Sequence, residues 1–118
     1  MKHPFRLKSE QFAEGDSVMV ELNKPRFQLG KVVATPAALE ALDKANQQPW
    51  QLLARHLQGD WGDLGAEDRR LNGEALHDGG RILSAYLLTT GVRLWIITEA
   101  QDDRGNRAAT TLLLPEEY

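Results

Sequence analysis

Residues 81–114 constrain the fold more than any other stretch. They read RILSAYLL, TTG, VRLWIITEA, a polar connection, then AATTLLL. Residues 84–88 and 92–98 are rich in β-branched and aromatic side chains, which suit a pleated, half-buried surface. Gly91 between them supplies the positive φ that a tight hairpin turn needs. With residues 109–114 as a third strand, the pattern predicts an antiparallel meander.

A turn centred on Thr90-Gly91 sets the expected pairing. Leu88 faces Arg93, Tyr86 faces Trp95, Ser84 faces Ile97 and Ile82 faces Glu99. The alternate set is Leu87 with Leu94, Ala85 with Ile96 and Leu83 with Thr98. This second set is almost wholly apolar and is expected against helices. A slip of one residue would exchange the two sets, because side chains alternate with period two. The first set yields a candidate binding face of Tyr86, Trp95, Ser84, Arg93 and Glu99. The same residues also fit an ordinary cross-strand aromatic pair, a contribution of roughly 0.2–1 kcal/mol.

A chain of 118 residues is expected to form one domain with its own core. Residues 1–15 are charged and aperiodic and are expected to be a flexible arm, leaving residues 16–118 as the domain. Residues 17–22 alternate enough for a short strand, and residues 27–34 for another. The absence of cysteine excludes disulfides and thiolate metal sites and is compatible with a reducing, cytoplasmic setting. No run approaches the roughly 18 apolar residues of a membrane span, and the first residues lack the apolar core of a signal peptide. The net charge of −3 argues against broad nucleic-acid binding, so nucleic acid is expected only as the substrate of a ribonuclease.

Thr35-Pro36 is a helix start, an N-cap hydroxyl followed by proline at the first helical position. The helix is expected over residues 37–45. Pro49 opens a second over residues 49–58, with Gly59 placed to end it. A short third helix is expected over residues 68–76. On the second helix His56 falls among Leu52, Leu53 and Leu57. It reads either as a core histidine with satisfied ring nitrogens or as a desolvated imidazole tuned for proton transfer. The following GDWGDLGAED brings Asp60 and Trp61 forward as further binding candidates. Glycine-flanked Trp61 reads as a loop anchor or as a stacking platform.

No phosphate loop, His-Glu-x-x-His or nucleophile elbow occurs, and no cofactor or metal is expected. What remains for an enzyme is metal-independent acid–base chemistry. The order of elements, helices then three strands, is similar to small bacterial ribonucleases of the barnase kind. In such an enzyme His56 or Glu99 would be general acid or base, and Arg93 or Arg104 would stabilise phosphorane charge. The connection over residues 100–107 is polar and expected to be mobile. The last strand has no fully polar face, which suggests cover on both sides or an edge used by a partner, including a second copy.

LARHLQGDWG, RILSAY, WIITEA and TTLLLPEEY together resemble a family of small uncharacterised proteins carried by bacterial plasmids and integrative mobile elements. The resemblance spans residues 27–118. It implies a cytoplasmic accessory protein of a mobile element, of the kind that binds host or rival defence machinery or acts as a toxin. The expectation is an α+β domain, with two or three helices packed on one face of a mainly antiparallel sheet, acting as a protein-binding module. The alternative is the small ribonuclease or toxin-like enzyme.

Overall fold

A computed structural model describes residues 25–118. The arm expected over residues 1–15 and the strand expected over residues 17–22 lie outside the described residues. The described chain is α+β. It runs β1 (Lys31–Ala34), α1 (Pro36–Lys44), α2 (Pro49–Leu57), α3 (Ala66–Asp78), β2 (Ile82–Leu87), β3 (Arg93–Thr98), β4 (Ala109–Leu113) and a closing 3-10 turn (Pro115–Glu117).

Local chemistry sets the helix ends. Thr35 Oγ1 accepts from the Ala38 N–H at 3.0 Å, and Pro36 occupies the first turn of α1. Pro49 does the same for α2, where Gln51 Oε1 accepts from the Gln48 N–H at 2.9 Å. Ala38, Ala41 and Leu42 of α1 and Leu52, Leu53, His56 and Leu57 of α2 are buried, each set on one stripe. Helix α3 is longer than expected. It starts two residues earlier, because Glu67 and Asp68 favour its first turn, and Arg70 bridges Glu67 and Glu74 along its exposed side.

The sheet has the order β1-β4-β3-β2. Strands β2, β3 and β4 form the expected antiparallel meander, while β1 pairs parallel with β4. The last strand is therefore internal. It is not an edge, and pairing of two copies through it, as the sequence suggested, is ruled out by its two neighbours.

The hairpin register is the main correction. The turn closes three residues rather than two. The Leu88 N–H donates to the Val92 carbonyl at 2.8 Å, the Gly91 N–H donates to the Leu88 carbonyl at 2.8 Å, and Gly91 has φ 92. That extra residue moves every pair by one. Tyr86 faces Leu94, Ala85 faces Trp95, Ser84 faces Ile96 and Leu87 faces Arg93. Tyr86 and Trp95 are on opposite faces, so the aromatic pair does not exist. Leu94 and Ile96 face the helices as expected. Leu83, Ala85 and Leu87 do not, and Leu87 is 58% exposed.

Helices α1 and α2 cover the inner face, where Leu42, Leu52 and Leu53 pack with Tyr86, Leu94, Ile96 and Leu112. Helix α3 flanks β2. There the Asn72 side chain acts as a substitute strand: its Nδ2 donates to the Leu83 carbonyl at 2.6 Å, and its Oδ1 accepts from the Leu83 N–H at 3.1 Å. One step along, the Ala85 N–H donates to the Trp61 carbonyl at 3.0 Å, and the Asp63 N–H donates to the Ala85 carbonyl at 2.6 Å. Gly62 lies so close to β2 that an added Cβ would collide with the Ala85 carbonyl. The outer edge of β2 is thus closed to another strand at both residues.

The polar connection is also more ordered in hydrogen bonding than a mobile loop requires. Asp102 Oδ1 accepts from the Arg104 and Asn106 N–H groups, each at 2.9 Å, and Gln101 bridges to Arg107.

Two substitutions check this architecture. Leu94→Ala, at a position with 0% exposure, should cost about 2–5 kcal/mol in urea unfolding. Asn72→Ala should cost about 1–3 kcal/mol by stranding the Leu83 backbone, and should raise light scattering of the partly denatured protein as the β2 edge opens. Wild-type stability in both variants would show that neither group is enclosed as described.

Candidate functional site

The sequence nominated His56, and the structure places it at the centre of the fold. Its side chain is wholly buried, with 0% exposure. Nδ1 lies 2.5 Å from Ser84 Oγ and Nε2 lies 2.9 Å from Thr98 Oγ1. Thr98 Oγ1 is 2.7 Å from Thr110 Oγ1, and Thr110 Oγ1 is 2.7 Å from the Leu29 carbonyl. Two strands therefore meet at one imidazole, and a third joins the network through Thr98.

The protons in this chain can be counted from its far end. A carbonyl only accepts, so the Thr110 hydroxyl donates to Leu29. Its single proton is then used, so Thr98 donates to Thr110. Thr98 must in turn accept from His56, which puts the ring proton on Nε2. Nδ1 is bare and accepts from the Ser84 hydroxyl. Each hydroxyl proton and both ring nitrogens are satisfied, and among the described residues no buried side-chain nitrogen or oxygen lacks a partner.

Phe27 meets the ring edge-on with centroids 5.0 Å apart, and Trp61 with centroids 6.0 Å apart. Burial, with a smaller contribution from the charge of Arg107, pushes the His56 pKa down to about 3. Ser84 and His56 have the contact of a nucleophile and its base. They lack access, since both side chains have 0% exposure. A base of that pKa is also a poor proton acceptor at neutral pH. The geometry fits the core-histidine reading.

The other nominated enzyme residues are not gathered around it. Arg93 lies on the outer side of the sheet and pairs with Asp63 at 2.8 Å. Glu99 is exposed just past β3, and Arg104 is exposed at the tip of the polar turn. The arginine beside the histidine is one that the sequence reading missed. Arg107 is 4% exposed; Nη1 donates to the Gly80 and Glu99 carbonyls at 2.6 and 2.9 Å, and Nη2 to the Ala75 carbonyl at 3.2 Å. It ties the end of α3 to both flanks of the polar turn, where a cation suits the helix dipole. Desolvation lowers its pKa from the ordinary arginine value.

Trp61 is 7% exposed and packs with Ala75 and Ile82, which is the anchor role. Asp60 holds Arg55 through two contacts, 2.6 and 3.3 Å, and that guanidinium lies 4.5 Å from the Tyr86 ring centroid. The hydrogen bond from Arg55 keeps the Asp60 carboxyl below the usual carboxylate range. The Tyr86 hydroxyl donates to the Asp60 carbonyl at 2.6 Å, and burial raises its pKa. Asp60, Asp63 and Glu67 are all paired with arginines.

Of the nominated binding residues, Trp95, Arg93, Glu99 and Asp60 remain accessible, while Tyr86, Ser84 and Trp61 are buried. The partner ring of Trp95 is Tyr118, with centroids 5.7 Å apart at 63°. Tyr118 is 66% exposed, and the Arg81 guanidinium donates to its hydroxyl and lies 5.3 Å from its ring centroid. Leu87 and Arg93 are paired one step along the same face. Trp95, Tyr118, Arg81 and Leu87 make an accessible aromatic and apolar patch on the outer side of the hairpin.

No protein-family model, curated protein or solved structure matches this chain. Among the described residues no group of histidine, cysteine or carboxylate side chains is arranged to hold a metal ion, and no helix is long and apolar enough to cross a membrane.

The buried ring gives stability a definite pH dependence. An unfolded His56 takes a proton near 6.5, while the folded ring resists until about 3. Between these values the unfolded chain binds more protons, so this contribution is complete above about pH 6.5 and declines as pH falls. The loss across the window should be on the order of 4 kcal/mol. Urea unfolding of wild type and His56→Gln, followed from neutral to acid pH, should show the wild-type advantage shrinking. A pH-independent difference would contradict the neutral buried ring.

Proposed function

We propose that this chain is a cytoplasmic accessory protein of a bacterial mobile genetic element and works as a protein-binding module, with host or rival defence machinery as its class of partner. The observation that carries the binding reading is the patch of Trp95, Tyr118, Arg81 and Leu87 on the outer face, with Leu87 58% and Tyr118 66% exposed. Tryptophan, tyrosine and arginine dominate binding hot spots, because they bring large contact areas and polar handles together. Isolated exposed apolar residues are ordinary, but here Trp95, Tyr118 and Arg81 touch one another, and Leu87 lies one strand pair along the same face. The mobile-element setting rests on the resemblance over residues 27–118. The role of His56 supports the module over the ribonuclease, because the imidazole that would move protons is engaged at both nitrogens inside the core.

The test is affinity capture from bacterial lysate with wild type and with Trp95→Ala combined with Leu87→Ser. The wild type should retain a specific protein partner. The double variant should lose most of that binding with only a small change in melting temperature, since both side chains lie outside the main core. Undiminished capture would move the site elsewhere. RNA cleavage by the pure protein, abolished by a folded His56→Gln variant, would replace the module with the enzyme.

A further inference from the structure

We propose that the chain forms a two-fold homodimer by antiparallel pairing of β1 with β1 of a second copy. The two edges of the sheet are treated differently. The β2 edge is closed by Asn72 and by residues 61–63. At β1, the Lys31 N–H donates to the Ala108 carbonyl and the Thr35 N–H to the Leu112 carbonyl, each at 3.0 Å. Alternate residues of β1 therefore turn their backbone to β4, and Val32 and Ala34 turn theirs outward, with no partner among the described residues. Lys31 is exposed, and Val33 is 38% exposed.

One antiparallel register pairs both outward residues. Val32 stands opposite Ala34 of the second copy and Ala34 opposite its Val32, each pair exchanging both hydrogen bonds, with the axis at Val33. In this register Lys31 falls opposite Thr35 of the second copy. That is where a carboxylate stands, because Thr35 Oγ1 donates to Glu117 Oε1 at 2.8 Å. Lys31 has no ion-pair partner among the described residues. The edge thus carries a cation at one end and an anion at the other, and a two-fold axis brings them together twice. Such self-complementarity is what an isologous interface requires.

The chain contains no cysteine, so Val33→Cys places a single thiol on the axis. Opposed residues there should have Cα atoms about 4.5 Å apart, within the roughly 4.4–6.8 Å that a disulfide spans. Mild oxidation should give a covalent dimer, and sedimentation of the wild type should show a concentration-dependent dimer. Lys31→Glu should weaken association roughly tenfold or more, and Lys31→Glu with Glu117→Lys should restore it. Ala34→Pro removes an outward donor and no bond to β4, so it should abolish the dimer while thermal unfolding stays cooperative. Two results would overturn the proposal. One is a wild type that stays monomeric at high concentration with no crosslink from Val33→Cys. The other is a dimer indifferent to both Lys31→Glu and Ala34→Pro.

Discussion

A neutral imidazole with no exposure must have both ring nitrogens satisfied inside the protein, and much of this structure follows from that demand. His56 sits on the stripe of α2 that packs on the sheet. Ser84 from β2 and Thr98 from β3 supply its partners, and Thr110 from β4 passes the hydrogen bonding on to the Leu29 carbonyl ahead of β1. These hydroxyls are buried because the ring is there, and the ring is tolerated because they are. The network crosses the meander and fixes which face of each strand looks inward. A one-residue slip would carry Ser84 and Thr98 away from the ring and strand three polar groups in the core.

That dependence explains where the sequence was readable and where it was not. Helix α1 was legible from Thr35-Pro36, α2 from Pro49 and Gly59, and the meander from residues 81–114, because local propensity and packing agree there. The hairpin faces were not. An apolar-in, polar-out pattern assigns Leu83, Ala85 and Leu87 to the core and Ser84 and Tyr86 to the surface. The structure reverses this, since Ser84 bonds His56 and the Tyr86 hydroxyl reaches the Asp60 carbonyl. Ala85 is kept from solvent by residues 61–63, which cover the edge of β2. The available clue was a histidine in an apolar helical stripe together with lone hydroxyls in apolar strands, Ser84, Thr98 and Thr110. Each group predicts the other. Arg107 and Asn72 gave no such signal, because their partners are backbone carbonyls and an N–H group that sequence does not mark.

The same reversal separates structure from function. His56, nominated for chemistry, and Ser84, nominated for binding, instead hold the sheet to α2. The surviving binding residues lie on the other side, where Trp95 meets Tyr118 and Arg81. The closing turn that carries Tyr118 is held by Glu117, which accepts from both Thr35 and the Leu114 N–H. One short segment therefore completes the aromatic patch and supplies the carboxylate at the end of β1. Binding through the outer face and pairing through the β1 edge use different groups, so one need not exclude the other.

The central claim is that His56 is a neutral, doubly hydrogen-bonded structural tie. Nitrogen-15 chemical shifts of its ring, followed by NMR from neutral pH down to about pH 4, test it most directly. The expected spectrum has a protonated Nε2 and a bare, hydrogen-bonded Nδ1, and it stays unchanged across that range because the folded ring titrates only near 3. A ring that titrates near 6.5, or that carries its proton on Nδ1, would contradict the account.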